Sequence, residues 1–384
     1  MFFYFPGNYM WSLAVNRCLA AGGHFGEIHW ALKDLQEAAK APPQGDGEAW
    51  HRAWLRLARQ TAGVGEQAEE KGHRATAASQ FYRAAQYYQW AEAFLDPDDE
   101  RAPLTYGLHL KSFSRFARHA AFPVEIVDVP FGTSSLSAYF VPARGVSGPA
   151  PAVILWDGLD GTKEEMFPMA ALLAARGISC LGIDITGQGA SLRLNGLKAR
   201  HDSEVCAAAA VDWLEARADV DKARIGVIGA SMGGYTAPRA VAYEKRIKAC
   251  VAWGAIYDYH DVWVRRLTSI GHGAEVDYRN ALGTTGKHLL NIMGARDFDD
   301  ALALLAPFNL RDAAPRISCD ILLVHGEDDR QTSLDNAKAL FAAIGSSHKE
   351  LRVYTAEEGG ASHVQLDRQE PAASLIADWF SDHL

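Results

Sequence analysis

The stretch that most constrains this chain is Arg224-Ile225-Gly226-Val227-Ile228-Gly229-Ala230-Ser231-Met232-Gly233-Gly234-Tyr235. It reads as an apolar strand, an abrupt turn and the start of a helix. Gly229-Ala230-Ser231-Met232-Gly233 fits G-x-S-x-G, the pattern of a nucleophile elbow. A serine at such a turn sits in a strained backbone, so its neighbours must be small for strand and helix to approach. Gly229, Ala230, Gly233 and Gly234 meet that need. The following helix points its N-terminus at the serine, which favours developing negative charge.

The elbow needs a sheet around it, and the sequence supplies one from Pro123 onward. Val124 to Val129 and Leu136 to Val141 read as two strands joined by a Gly132-Thr133-Ser134 turn. Short, wholly apolar runs then alternate with helical patterns: Ala152 to Leu155, Ile178 to Ile183, Ile225 to Ile228, Ala249 to Trp253 and Ile321 to Val324. Leu351 to Tyr354 supplies a last strand. Continuous apolar strands separated by helices predict a parallel sheet covered on both faces. Thr162-Lys163-Glu164-Glu165 has the form of a capping box at a helix start, and Pro371 suits the first turn of the terminal helix.

Before Pro123 the pattern is helical. Trp50, Trp54, Leu55 and Leu57 fall near helical spacing after the loop Ala41 to Gly47, and Phe81, Ala84, Tyr88, Ala91 and Leu95 recur every three or four residues. No fixed repeat period is present. The expected organisation is a helical N-terminal region over residues 1–122 and a catalytic domain over 123–384. Between Trp253 and Ile321 the strand alternation breaks, and residues 254–315 read as a helical lid inserted over the strand ends, where ligands bind in open α/β sheets. The N-terminal helices carry more aromatics than a short domain needs for its own core. Together with the insertion, they are expected to roof the Ser231 pocket.

Composition narrows the partners. The chain has 384 residues, 48% of them hydrophobic, and a net charge of −9, which invites neither nucleic acid nor an anionic membrane. Cys18, Cys180, Cys206, Cys250 and Cys319 are scattered and odd in number, as expected for reduced core residues in the cytoplasm. The aromatic N-terminus lacks a basic region and is interrupted by Asn8 and Asn16, so it is not read as a signal peptide. No HExxH, CxxC or His/Cys cluster suggests a metal, and no cofactor motif is present. Thr186-Gly187-Gln188-Gly189-Ala190-Ser191 lacks the ending of a phosphate loop and reads as another loop at the sheet edge. The sequence leaves the oligomeric state open, a homodimer included.

A serine hydroxyl needs a base, and the base an orienting acid. In this architecture the chain order is Ser, then Asp or Glu, then His. The last apolar strand of the alternation runs into His325-Gly326-Glu327-Asp328-Asp329-Arg330, where Asp329 is the expected acid and Asp328 its competitor. The expected base is His363, in the small-residue loop Glu358 to Val364 before the C-terminal helix. His325 reads as a turn residue at a strand end, and His260 and His272 fall in the lid. For an oxyanion, the expected donors are the backbone N–H groups of Met232 and of Leu159 or Gly158, in the turn Trp156 to Gly161. Trp253, Tyr257, Tyr259 and Trp263 are expected to line a pocket for an aromatic small molecule.

Ser231, Asp329 and His363 in that order resemble the α/β-hydrolase fold. Phe81 to Tyr88, Ala91 to Leu95, Asp160 to Glu165 and Ala252-Trp253-Gly254 are similar to the group that contains 2,6-dihydroxypseudooxynicotine hydrolase, the fermentation–respiration switch protein and fungal naphthopyrone-shortening hydrolases. The resemblance implies a mostly parallel eight-stranded sheet flanked by helices. It also implies cofactor-free cleavage of carbon–carbon bonds in aryl ketones or polyketides by a serine triad. The rival readings are a carboxylesterase or amidase with the same triad, and a regulatory binding protein on a hydrolase scaffold.

Overall fold

The computed structural model describes residues 1–270 and 282–384. The chain forms two units, one of residues 1–126 with 282–291, the other of residues 127–270 with 292–384. The helices are α1 (Tyr9–Ala20), α2 (Phe25–Leu32), α3 (Gly47–Glu70), α4 (Arg74–Glu92) and α5 (Arg101–His119). There follow β1 (Glu125–Phe131), β2 (Ser134–Val141), β3 (Ala150–Trp156), α6 (Phe167–Ala174), β4 (Ser179–Ile183), α7 (Gly189–Arg193), α8 (Glu204–Glu215), β5 (Val220–Ala230), α9 (Gly233–Tyr243) and β6 (Ile247–Trp253). The chain ends with α10 (Tyr259–Ile270), α11 (Gly283–Met293), α12 (Phe298–Leu305), β7 (Asp320–Gly326), α13 (Leu334–Ala343), β8 (Lys349–Tyr354) and α14 (Gln369–His383).

In the first unit α3 starts where Asp46 accepts from Glu48 N and Ala49 N, at 3.0 and 3.1 Å. Its buried stripe is Trp50, Trp54, Leu57, Ala58 and Thr61. Part of the aromatic content forms the unit's own core, while Phe2, Phe3, Phe25 and Trp30 stay exposed. Phe5, Trp11, Trp50, Trp54, Tyr87 and Trp90 form one buried cluster, with Trp11 and Trp50 ring centroids 4.7 Å apart. Trp50 Nε1 donates to the Trp90 carbonyl at 2.7 Å. Aromatic-on-aromatic packing accounts for these six side chains. The inserted segment also divides. In α11 Lys287 pairs with Asp96, and His288 Nε2 bonds to Leu95 O at 3.1 Å, so this stretch packs within the N-terminal unit. His272 lies outside the described residues.

The second unit is built on an eight-stranded sheet in the order β1-β2-β4-β3-β5-β6-β7-β8. β2 runs antiparallel to β4, and the pairs from β4 through β8 are parallel. Every residue of β3 and β4 is buried, as a strand covered on both faces requires. The register pairs Trp156 with Gly229, Ala230 with Trp253, Trp253 with Val324, and Gly326 with Tyr354. The carboxyl ends of β3, β5, β6, β7 and β8 thus align, and the loops that leave them gather at one edge.

The capping-box expectation fails. Thr162 to Glu165 form a turn, with Glu165 N bonded to Thr162 O at 3.0 Å, and α6 begins only at Phe167. Tertiary charge overrides the local pattern. Lys163 Nζ lies 2.9 Å from both Asp184 Oδ2 and Glu164 Oε1, all three side chains buried. No helix among the described residues is long and apolar enough to cross a membrane.

Candidate active site

Ser231 follows β5 and adopts φ 58°, a left-handed conformation that costs a non-glycine residue of order 1–3 kcal/mol. Its N–H donates to Trp253 O at 2.8 Å, which ties the turn to the end of β6. The approach demands small residues. A Cβ on Gly229 would stand 2.3 Å from Gly233 O, and one on Gly234 would stand 2.2 Å from Gly254 O. The result is a partly buried serine at the mouth of the sheet, just before the N-terminus of α9.

The candidate acid lies in the turn after β7. Glu327 and Asp328 are exposed, Glu327 accepting from Ala356 N at 3.1 Å, while the Asp329 carboxylate is fully buried. Asp329 Oδ1 accepts from Gln331 N at 2.7 Å and Thr332 N at 3.0 Å, and Oδ2 accepts from His363 Nδ1–H at 2.7 Å. Burial pushes this carboxyl up, but the adjoining His363 imidazole and its hydrogen bond outweigh it, helped by the Thr332 N–H. The net pKa lies below the usual value, so the group is ionised at neutral pH.

His363 follows the edge strand β8 and reaches back across β7. Gly326 makes the crossing possible: a Cβ there would meet Ala361 O at 2.2 Å and Ser362 O at 2.5 Å. Val364 and Gln365 both take positive φ, 43° and 54°, unusual for a β-branched residue above all. Trp253 Nε1 donates to Gln365 Oε1 at 2.6 Å and braces the strained loop. Its indole thus serves the histidine loop from a buried position. The Ser231 hydroxyl donates to His363 Nε2 at 2.8 Å. Asp329, His363 and Ser231 form one continuous hydrogen-bonded line.

The turn after β3 closes the other side. A Cβ on Gly158 would sit 2.8 Å from Ser231 Cβ and 3.1 Å from its Oγ, so only glycine fits. Gly158→Ala is accordingly expected to displace this turn and lower kcat by about 10²-fold, the scale of a roughly 1 Å misplacement. Steady-state kinetics alongside circular dichroism checks it; a folded variant with wild-type kcat would contradict the placement. Gly158 N–H already donates to Asp157 Oδ1 at 2.7 Å, whereas the Met232 and Leu159 N–H groups have no hydrogen-bond partner among the described residues. Of the two candidates in this turn, Leu159 keeps its donor available.

The remaining expected residues are placed differently from one another. Tyr259 and Trp263 are buried in an aromatic group with Tyr235 and Phe308, Tyr259 stacking on Tyr235 at 6.4 Å and meeting Trp263 edge-on at 6.5 Å. Tyr257 and His260 are partly open. His325 is not a turn residue. It lies inside β7, fully buried, with Nε2–H donating to Thr332 O at 3.0 Å and 3.7 Å from Asp329 Oδ2. Burial holds its pKa down, partly offset by Asp329, so it stands neutral beside the acid. The loop Thr186 to Ser191 follows β4, which has a neighbour on each side, and reaches the Gly158 turn through Gln188.

Comparison with known proteins agrees with this architecture. A model of FrsA-like esterases matches residues 46–267, more than half of the chain. The chain belongs to the FrsA-like esterase family. A model of the prolyl oligopeptidase family also matches, over residues 166–384. Among curated relatives, "Hydrolase acrC" of Aspergillus aculeatus is 28% identical over 372 residues, covering 84% of this chain and 85% of that protein. "20-hydroxy-prefusarin hydrolase FUS2" of Gibberella moniliformis is 27% identical over 355 residues, covering 84% of each. The crystal structure of 2,6-dihydroxy-pseudo-oxynicotine hydrolase superposes with a TM-score of 0.79 at 24% identity, covering 96% of this chain and 95% of that one. The FrsA-like chain is therefore a hydrolase of the α/β-hydrolase type.

Proposed function

We propose that this hydrolase is a cofactor-free serine enzyme that cleaves an acyl–aryl or β-diketone carbon–carbon bond in an aromatic ketone or polyketide-like small molecule. The observation that carries the serine reading is the line from Asp329 through His363 to the Ser231 hydroxyl, at 2.7 and 2.8 Å. Ser231 Oγ adds to the ketone carbon while His363 Nε2 takes its proton, and Asp329 holds the imidazole in the tautomer that can accept it. The oxyanion is met by the N–H groups of Met232 and Leu159. Collapse breaks the bond to the ring, the ring carbon takes the proton from His363, and the acyl group stays on Ser231. Water, deprotonated by His363, then releases a carboxylic acid. A hydroxylated ring or a second carbonyl suits this route because it stabilises the departing carbanion. The likeness to the hydrolase of 2,6-dihydroxy-pseudo-oxynicotine supports that choice, and the partly open Tyr257 is proposed as a contact for the ring.

The second reading, a carboxylesterase, is favoured by the FrsA-like esterase match. Incubation with hydroxylated aryl ketones, β-diketones and aryl esters in D2O separates the two. Carbon–carbon cleavage leaves deuterium on the carbon that carried the acyl group, and ester hydrolysis leaves none on carbon. The expected result is cleavage of a ketone with one deuterium incorporated, beyond the exchange seen when the free arene stands in D2O. Turnover of esters alone would establish the second reading instead.

A further inference from the structure

We infer that Gln188 is a positioning residue that aims the oxyanion turn, an inference that rests on the serine-hydrolase reading of the same site. Gln188 is only 3% exposed and lies just before α7. Its Nε2 donates to two consecutive backbone carbonyls of the turn after β3, Asp157 O and, at 2.8 Å, Gly158 O. The side-chain amide cannot be turned the other way, because Oε1 would then face two carbonyl oxygens.

Peptide planarity turns this clamp into a statement about donors. In a trans peptide the C=O and the next N–H point in opposite directions. Fixing Asp157 O fixes Gly158 N–H, and fixing Gly158 O fixes Leu159 N–H. With both carbonyls drawn to one nitrogen, both N–H groups face away from Gln188, the arrangement of a backbone nest for an anion. One is filled within the turn, since Gly158 N–H donates to Asp157 Oδ1. The other, Leu159 N–H, is left for the substrate oxyanion. The turn bearing it is the one that would collide with Ser231 if residue 158 carried a Cβ.

The clamp costs something: Gln188 Oε1 is buried with no hydrogen-bond partner among the described residues. Its support is itself rigid. Asp184, six residues before the start of α7's second residue, accepts Ala190 N at 2.8 Å and Lys163 N at 2.7 Å, so one carboxylate ties the Gln188 loop to the chain leaving the oxyanion turn. Asp184 Oδ2 also holds Lys163 Nζ, whose burial would lower its pKa but for Asp184 and Glu164, which raise it and keep it charged.

Gln188→Met keeps the length and unbranched shape and removes the amide, with it the Nε2 donor and the unpartnered Oε1. The test compares wild type and this variant on p-nitrophenyl acetate, with active sites counted by stoichiometric fluorophosphonate labelling, and measures affinity for 2,2,2-trifluoroacetophenone, a ketone that serine hydrolases bind as a tetrahedral oxyanion. The expected result is a per-site kcat about 10²-fold lower, the scale of one lost oxyanion donor. KM should change little, and affinity for the trifluoromethyl ketone should fall by a similar factor. A variant with fewer active sites but unchanged per-site kcat and inhibitor affinity would show a purely structural role and overturn the inference. A wild-type chain that neither labels nor turns over would instead overturn the serine reading beneath it.

Discussion

Ser231→Ala is expected to lower kcat by about 10⁶-fold while leaving the fold intact. The size follows from cooperation among the three groups: once the nucleophile is gone, the histidine and its acid have nothing to activate, so one deletion costs nearly as much as removing all three. Folding should survive because the hydroxyl's hydrogen bond is to His363, a side chain, while the turn is held by Ser231 N–H on Trp253 O, which alanine retains. The left-handed backbone at position 231 remains as strained for alanine as for serine. Kinetics on whichever ketone or ester the wild type turns over, with a thermal melt of each protein, provides the check. Wild-type-like turnover by a folded Ser231→Ala protein would remove the nucleophile from its proposed role.

Asp329→Asn is expected to cost about 10⁴-fold in kcat, with Asp328→Asn close to wild type. An asparagine can still accept from Gln331 N and Thr332 N. Facing His363, however, its NH2 favours the tautomer that carries the proton on Nε2, where the Ser231 hydroxyl must donate. Asp328 is exposed, and its backbone N–H, bonded to Ala361 O at 2.9 Å, is unaffected by the change. Parallel kinetics on the two variants decides between them, and greater damage from Asp328→Asn would reverse the assignment of the acid.

Much of the sheet was legible because its strands are extreme. β3, β4, β6 and β7 sit between two helical layers, so their sequences are almost wholly apolar and stand out from any amphipathic pattern. The elbow was legible because steric demand leaves few residue types at Gly229 and Gly234. The line of three side chains followed from chain order, since each is carried at the carboxyl end of a strand or in the loop beyond it.

What escaped the sequence depends on contacts distant along the chain. Thr162 to Glu165 has the letters of a capping box, but Lys163 is drawn inward by Asp184, a partner no local pattern announces, and Glu164 pairs with the buried ammonium. Gln188 is one polar residue in a glycine-rich loop, and its two carbonyl partners lie about thirty positions earlier. His325 lies beside three acids in the sequence, which suggests a solvated turn, yet the ladder to β8 continues through it and buries it. Trp11, Trp50, Trp54 and Trp90 read as part of an aromatic surplus because periodicity reports a face, not what covers that face.

The central claim is that Ser231 is an activated nucleophile, and covalent labelling tests it most directly. The purified protein is treated with a fluorophosphonate, digested, and the adduct located by mass spectrometry. The expected result is a single stoichiometric adduct on Ser231, absent from Ser231→Ala and strongly slowed in a variant carrying His363→Ala. A folded wild-type protein that takes up no label at Ser231, or takes it up equally fast without His363, would contradict the account.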